Sequence, residues 1–306
     1  MLLKDIIYKG VETVSASYPE EEAREMVFAY MEDVFGFKRH KHILEPDFGL
    51  SEKDELRVLA DFRRLASGEP LQYVVGKAYF YGRCFRVTPD VLIPRQETEL
   101  LCNELLQSDM AGDGDILDLC TGSGCIAWTL ALERPGRRVM AVDISDAALA
   151  VASSQDFSEE MVHTGACAPQ FIKADVLAGP EESPEICEHA SVGRKFDFIV
   201  SNPPYVMDSE KTAMRANVLE HEPHLALFVP DDDPLKFYEA VARWAVRLLK
   251  EGGIGIVEIN EALGEETGEV FRRAGFIYTE ILRDLHGKDR FVLFSKMPLS
   301  KKNRFF

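Results

Sequence analysis

The chain of 306 residues has no long apolar run, and no signal peptide is expected in its first residues. A transmembrane helix needs about 20 consecutive apolar residues. Residues 1–14 place Lys4, Asp5, Lys9 and Glu12 among their apolar residues, which is not the apolar core of a signal peptide. We therefore expect a cytoplasmic protein with no membrane partner.

Cysteine is sparse, and the pattern of a metal site is missing. The six cysteines include no Cys-x-x-Cys pair, and no histidines stand near them at zinc-ligand spacing. This pattern predicts reduced thiols, most of them buried, and no bound metal.

A basic block is also missing. Lys and Arg number 35 against 52 Asp and Glu, so the net charge is −17. Proteins that bind nucleic acid usually carry a positive footprint, because phosphate contacts dominate their affinity. The charge predicts no direct nucleic-acid binding. We see no internal repeat and expect a monomer.

Three segments differ in pattern. Residues 1–75 have helical periodicity, with a helix predicted after Pro19 and another after Ser51. Residues 76–94 alternate as a β-hairpin linker. Residues 95–306 alternate between strands and helices. The strands are expected at residues 115–119, 138–142, 169–172, 196–200, 253–259 and 290–294, whereas residues 179–195 are expected to form a surface loop. Alternation of this kind predicts an α/β fold, with a mostly parallel sheet covered by helices on both faces.

A short polar motif follows the fourth of these strands. Asn202, Pro203, Pro204 and Tyr205 end an apolar run abruptly. Asn-Pro and Pro-Pro are also common turn signals, so the motif alone is compatible with a simple turn. Functionally, the prolines stiffen the backbone, the Asn202 amide offers an acceptor and two donors, and Tyr205 offers a flat face. The motif could clamp a planar group that carries an NH₂.

A glycine-rich turn follows the first of these strands. Cys120, Thr121, Gly122, Ser123 and Gly124 lead into a helix. The glycines allow a tight turn and close approach of a ligand. After the next strand, Asp143 could accept both hydroxyls of a ribose.

These two features predict an adenosine-containing cofactor, either a nicotinamide dinucleotide or S-adenosylmethionine. Asp175 ends the third strand and could accept a hydrogen bond from an adenine amino group. A dehydrogenase has no need of the Asn202–Tyr205 clamp, whereas a methyltransferase acting on an amide or an exocyclic amine does. We therefore favour S-adenosylmethionine, with S-adenosylhomocysteine as product.

Further motifs narrow the class of methyltransferase. Residues 68–73 (Gly-Glu-Pro-Leu-Gln-Tyr), residues 92–99 (Leu-Ile-Pro-Arg-Gln-Glu-Thr-Glu) and the clamp resemble the HemK/PrmC family over nearly the whole chain. That family methylates the glutamine N5 nitrogen in the Gly-Gly-Gln motif of class I peptide-chain release factors. The chain departs from the family pattern at Gln96, at Cys120, at Val176 (where some members carry an aromatic contact to the cofactor) and over residues 258–261.

The resemblance implies a helical substrate-recognition domain at 1–75 and a Rossmann-like S-adenosylmethionine-dependent methyltransferase domain at 95–306. We hypothesise that the Asn202 side-chain oxygen and the Pro203 carbonyl each accept one substrate N–H, while Tyr205 stacks on the amide or shields the path of the methyl group. Arg95, Glu97 and Glu99 could order the substrate or the methionine end of the cofactor, or could serve only as charges at a helix start.

Two other readings use the same residues. An N6-adenine or guanine-N2 nucleic-acid methyltransferase would place a base amine in the clamp, and the acidic composition argues against it. A non-catalytic adaptor could retain the fold, but it would not need Gly122, Asp143 and Asn202 together.

Overall fold

The computed structural model describes residues 1–107, 114–191 and 193–299. The end of the segment predicted at 95–306 therefore lies outside the described residues. The helices are α1 (Leu3–Val14), α2 (Glu20–Phe35), α3 (Lys41–Leu44), α4 (Glu52–Ala66), α5 (Leu71–Val75), α6 (Gln96–Gln107), α7 (Cys125–Glu133), α8 (Asp146–Ser153), α9 (Ser158–Thr164), α10 (Pro184–Ser191), α11 (Ala216–His221), α12 (Lys236–Leu248) and α13 (Gly264–Arg273). The strands are β1 (Lys77–Phe80), β2 (Arg83–Arg86), β3 (Ile116–Leu119), β4 (Val139–Asp143), β5 (Gln170–Lys173), β6 (Phe196–Ser201), β7 (Val206–Met207), β8 (Phe228–Val229), β9 (Leu249–Glu258), β10 (Tyr278–Arg283) and β11 (Asp289–Ser295).

The chain divides into two compact units. One comprises Met1–Lys77 together with Met214–Glu222, and the other comprises Ala78–Ala213 and Pro223–Phe306, of which residues beyond 299 are not described. No pattern in the sequence indicated that residues 214–222, which contain α11, belong with the first unit. The domain boundaries at 75 and 94 stay a prediction.

The first unit is a helical bundle, and local chemistry explains where α2 ends and where α4 begins. Acidic residues occupy the first turn of α2, and Gly36 ends that helix in the left-handed region at φ 69°. The Ser51 side chain caps α4 by accepting the Asp54 N–H at 3.2 Å. The bundle core includes Phe62, and it also includes Tyr30, whose hydroxyl donates to the buried Asp61 at 2.6 Å.

A seven-stranded sheet organises the second unit, in the order β10-β11-β9-β6-β3-β4-β5. Strands β5, β4, β3, β6 and β9 are parallel, and β11 runs antiparallel to β9. Apolar side chains fill both faces: Ile116 belongs to one buried cluster and Leu117 to the other, as alternation along a strand requires. Because the chain moves outward from β3 in both directions, the sheet has a switch point between β3 and β6, where such folds bind ligands.

The six predicted strands and the hairpin are confirmed, while one local expectation is wrong and one strand was missed. Residues 179–195 are not a loop, since they hold a 3₁₀ turn (Pro180–Glu182) and α10. Composition did not predict this helix because its Pro and Glu residues are exposed and are typical of a loop. Ile186, in contrast, is fully buried. Strand β10 was not predicted at all.

None of the described helices has both the length and the apolar composition needed to cross a membrane.

Candidate active site

The glycine-rich turn after β3 follows a left-handed path. Cys120, Gly122 and Gly124 have φ values of 62°, 55° and 78°. A Cβ at Gly124 would lie 3.0 Å from the Ala152 side chain and 3.1 Å from the ring of Phe171, so this glycine allows close packing. A Cβ at Gly122 would meet no atom within 4 Å, so the backbone there faces open space in which a ligand could approach it.

Asp143 ends β4 beside this turn. Its Oδ2 accepts the Gly122 N–H at 2.9 Å and its Oδ1 accepts the Ser145 N–H at 3.0 Å. The Ile144 N–H also lies near the carboxylate. A carboxylate has about four acceptor positions, so these contacts leave some acceptor capacity for a ligand. Burial raises the pKa of Asp143, although the hydrogen bonds from Ser145 and Gly122 oppose that effect.

The next strand end contributes Asp175 and Val176. Asp175 Oδ1 accepts the Leu177 N–H at 2.8 Å, which fixes the carboxylate at the start of the loop. Val176 is buried, and its carbonyl accepts the indole N–H of Trp244 at 3.0 Å. Both residues follow β5, as predicted, two and three positions beyond its last residue, Lys173.

The clamp lies on the opposite side of the switch point. Ser201, the last residue of β6, donates its hydroxyl to the Leu119 carbonyl at 2.8 Å, which ties the two strand ends together. Asn202 follows at once, and its Nδ2 donates to Thr98 Oγ1 at 3.2 Å. The Tyr205 hydroxyl donates to the buried Glu258 at 2.9 Å.

One cavity of about 330 Å³ brings these strand ends together. A volume of this size suits a small ligand or cofactor. The sequence-predicted residues that line it are Arg95, Cys120, Thr121, Gly122, Ser123, Asp143, Asp175, Val176, Asn202 and Pro204. Gly124, Pro203 and Tyr205 adjoin the lining residues in sequence but are not part of the lining.

Sequence reasoning missed the apolar wall of the cavity. Ile144, Leu177, Leu225 and Phe237 line it together with Thr98. A sequence signal existed for Ile144, because this apolar residue directly follows the acid Asp143 at a predicted strand end. In the structure its side chain is 44% exposed. The acids near Arg95 have different surroundings: Glu97 is exposed, whereas Glu99 accepts the Tyr81 N–H of the β1–β2 turn at 2.8 Å.

Comparison with known proteins agrees with this geometry. Residues 96–225 match the methyltransferase small domain model, and residues 7–76 match the PrmC N-terminal domain model. The fold and this match define an S-adenosylmethionine-dependent methyltransferase.

Curated relatives define the family. The release factor glutamine methyltransferase of Flavobacterium psychrophilum is 36% identical over 296 residues, covering 95% of this chain and 98% of the relative. That of Bacteroides thetaiotaomicron is 38% identical over 275 residues, with 90% and 93% covered. The chain belongs to the release factor glutamine methyltransferase family. A solved release factor-specific protein-(glutamine-N5) methyltransferase from Alicyclobacillus acidocaldarius aligns at TM-score 0.40 and 27% identity, covering 70% of this chain and 100% of that one.

Proposed function

We propose that this protein transfers a methyl group from S-adenosylmethionine to the side-chain amide nitrogen (N5) of the glutamine in the Gly-Gly-Gln motif of class I release factors. One observation carries the proposal: the Asn202 side chain lines the same cavity as Asp143, with its NH₂ group already engaged by Thr98. The amide oxygen is thereby left to accept an N–H. The names of the curated relatives supply the class of substrate.

The residues of the cavity fit the cofactor that the family and fold imply. Gly122 offers its backbone to open space, Asp143 would accept from ribose hydroxyls, and Asp175 would accept from an adenine amino group. Ile144, Leu177 and Phe237 offer apolar surface for a flat ring. When bound, S-adenosylmethionine supplies a methyl group made electrophilic by its sulfonium.

The clamp would act on the nucleophile. An amide nitrogen is a poor nucleophile because its lone pair is delocalised into the carbonyl. Acceptance of its two N–H groups by Asn202 Oδ1 and the Pro203 carbonyl would orient the nitrogen, and orientation of this kind can contribute up to roughly 7–11 kcal/mol in ideal cases. The same acceptors stabilise positive charge that develops on nitrogen. The nitrogen loses a proton after transfer, so the chain needs no strong general base.

Tyr205 and Arg95 have supporting roles in this proposal. The Tyr205 hydroxyl is fixed on Glu258, and its ring would flank the clamp. Arg95 lines the cavity beside the start of α6, where a cation could hold the carboxylate of the cofactor. We still predict that the protein is monomeric and cytoplasmic and that it acts without a metal.

Substitution of Asn202 tests the proposal. We expect Asn202→Ala to slow methyl transfer to a purified release factor by roughly 10²–10³-fold, the usual loss when one preorganised polar group is removed from a reaction site. Asn103→Ala is the matched control, because Asn103 lies on α6 and does not line the cavity. Transfer of labelled methyl groups is the readout, and calorimetry checks that S-adenosylhomocysteine still binds.

Parallel reactions offer RNA and DNA instead of a release factor. Near-normal turnover by Asn202→Ala with intact cofactor binding would contradict the clamp. Label on nucleic acid and none on the release factor would replace the proposed substrate with an exocyclic base amine.

A further inference from the structure

The clamp is connected to two residues that the proposed reaction does not yet use. We propose that Thr98 and Glu258 are positioning residues that decide which end of the Asn202 side-chain amide faces the substrate. This inference rests on the proposed function and extends it from the clamp to the residues that orient the clamp.

A chain of hydrogen bonds connects the three side chains. Asn202 Nδ2 donates to Thr98 Oγ1 at 3.2 Å, and Thr98 Oγ1 donates to Glu258 Oε2 at 2.7 Å. Thr98 is 2% exposed and Glu258 is 1% exposed. Water therefore has little access to replace either bond, and the protein groups must satisfy one another.

The direction of each bond follows from the charge at one end. An ionised carboxylate only accepts hydrogen bonds, so Thr98 must give its single hydroxyl proton to Glu258. The Thr98 oxygen can then only accept, and the donor that meets it must be the NH₂ end of Asn202. The Oδ1 atom is left on the other side of the amide plane, where the proposed reaction needs an acceptor.

The same carboxylate also holds the far end of the motif. Glu258 Oε1 accepts the Tyr205 hydroxyl at 2.9 Å, and Asn260 Nδ2 donates to the Tyr205 carbonyl at 3.2 Å. Glu258 therefore fixes both polar side chains of the Asn202–Tyr205 motif. This arrangement follows from the sheet: Glu258 ends β9 next to β6, whose last residue Ser201 pairs with Val257.

Glu258 orients Thr98 in this way only when it is ionised. Burial raises its pKa, while the donors Thr98 and Tyr205 and the cation Arg290 lower it, and Glu97 raises it. The other titratable groups that interact with it are Tyr238, Cys102 and Cys125. A protonated Glu258 could donate to Thr98 instead, which would free Thr98 to donate to Asn202 and reverse its amide. Methyl transfer should therefore fall as acid protonates Glu258.

Three variants separate an effect on orientation from an effect on stability alone. Thr98→Val keeps the shape but removes the hydroxyl, whereas Thr98→Ser keeps the hydroxyl. Glu258→Gln keeps the shape of the acid but gives it an NH₂ group. We expect Thr98→Val and Glu258→Gln to lower kcat for release-factor methylation by about 10²-fold, the cost of a misplaced reacting group. KM for S-adenosylmethionine should be unchanged, and Thr98→Ser should retain most activity.

A double-mutant cycle shows whether Thr98 acts through Asn202. In the Asn202→Ala background, Thr98→Val should cause no further loss, because the group that it orients is gone. Additive losses would overturn the inference, and so would equal damage by Thr98→Ser and Thr98→Val.

A second readout needs no cofactor and no methyl transfer. The chain has five asparagines, so selective ¹⁵N-asparagine labelling gives a simple side-chain amide spectrum, and Asn202→Ala identifies the Asn202 signals. We expect slow solvent exchange of the Asn202 NH₂ protons in the wild type and in Thr98→Ser, and fast exchange in Thr98→Val. Exchange unaffected by Thr98→Val would overturn the inference. If the wild type fails to methylate a release factor while these exchange rates differ as expected, the proposed function fails and the orientation stands.

Discussion

At the scale of single residues, the carboxyl edge of the sheet holds acids in unequal surroundings. Asp118 on β3 is fully buried, and burial raises its pKa to about 7, with the nearby charge of Asp143 as a further cause. The Thr121 hydroxyl donates to Asp118 at 2.6 Å and opposes this effect. Asp118 therefore holds the glycine-rich turn through Thr121, and its carboxyl group gains or loses a proton near neutral pH.

Because its pKa is raised, Asp118 should make the free energy of unfolding depend on pH. Its ordinary pKa is 3.8, so between pH 3.8 and about 7 the folded state keeps a proton that the unfolded state has lost. The free energy of unfolding should therefore fall as pH rises through this window, by up to about 1.4 kcal/mol per pH unit from this group. In Asp118→Asn that contribution is absent. Urea unfolding of both proteins at several pH values measures it, and parallel curves would contradict the assignment.

The separation of residues along the chain decides what the sequence could predict of the site. The clamp and the glycine-rich turn are contiguous, and Asp143 directly follows a strand, so local pattern revealed them. Thr98 and Glu258 stand 160 positions apart and meet only through the packing of α6 against β9. Their contact depends on tertiary packing, and neither local sequence indicates it.

At the scale of elements, the central strands were predictable because they are buried on both faces. Strand β3 is buried at all four positions, and such apolar runs stand out in sequence. Strand β10 was missed because it lies at the edge of the sheet, where its residues are only half-buried and Thr279 and Glu280 interrupt the apolar pattern. At β5, the opposite edge, the short run Phe171-Ile172 kept enough apolar character for the strand to be predicted.

Strand β9 offers a test of how tightly the sheet is packed. A Cβ at Gly255 would lie 2.0 Å from the ring of Phe294, which is buried and stacked on Phe271 at 3.9 Å between ring centroids. We expect Gly255→Ala to lower the free energy of unfolding by about 1–3 kcal/mol through overpacking, which outweighs the roughly 0.5–1 kcal/mol that alanine gains over glycine in a strand.

Gly252→Ala in the same strand is the control. No atom lies within 4 Å of a Cβ at that exposed position. Chemical denaturation gives both values, and a Gly255→Ala midpoint equal to that of Gly252→Ala would show that the Phe294 ring moves aside freely.

At the scale of the whole molecule, the acidic chain concentrates its chemistry in one cavity. The net charge of −17 makes a polyanionic substrate unfavourable, whereas a glutamine amide carries no charge.

The two compact units of the chain were less predictable from the sequence than the strands. Residues 214–222 lie within the sequence span of the methyltransferase domain, yet they group with the helical unit by contact.

The most direct test of the account is the site of methylation on its proposed substrate. A purified class I release factor is incubated with this protein and S-adenosylmethionine, digested, and sequenced by mass spectrometry. We predict the mass of one added methyl group on the glutamine of the Gly-Gly-Gln motif, and no product when that glutamine is replaced by alanine in the release factor. A methyl group on another residue, or an unmodified motif under conditions where the protein binds S-adenosylhomocysteine, would contradict the account.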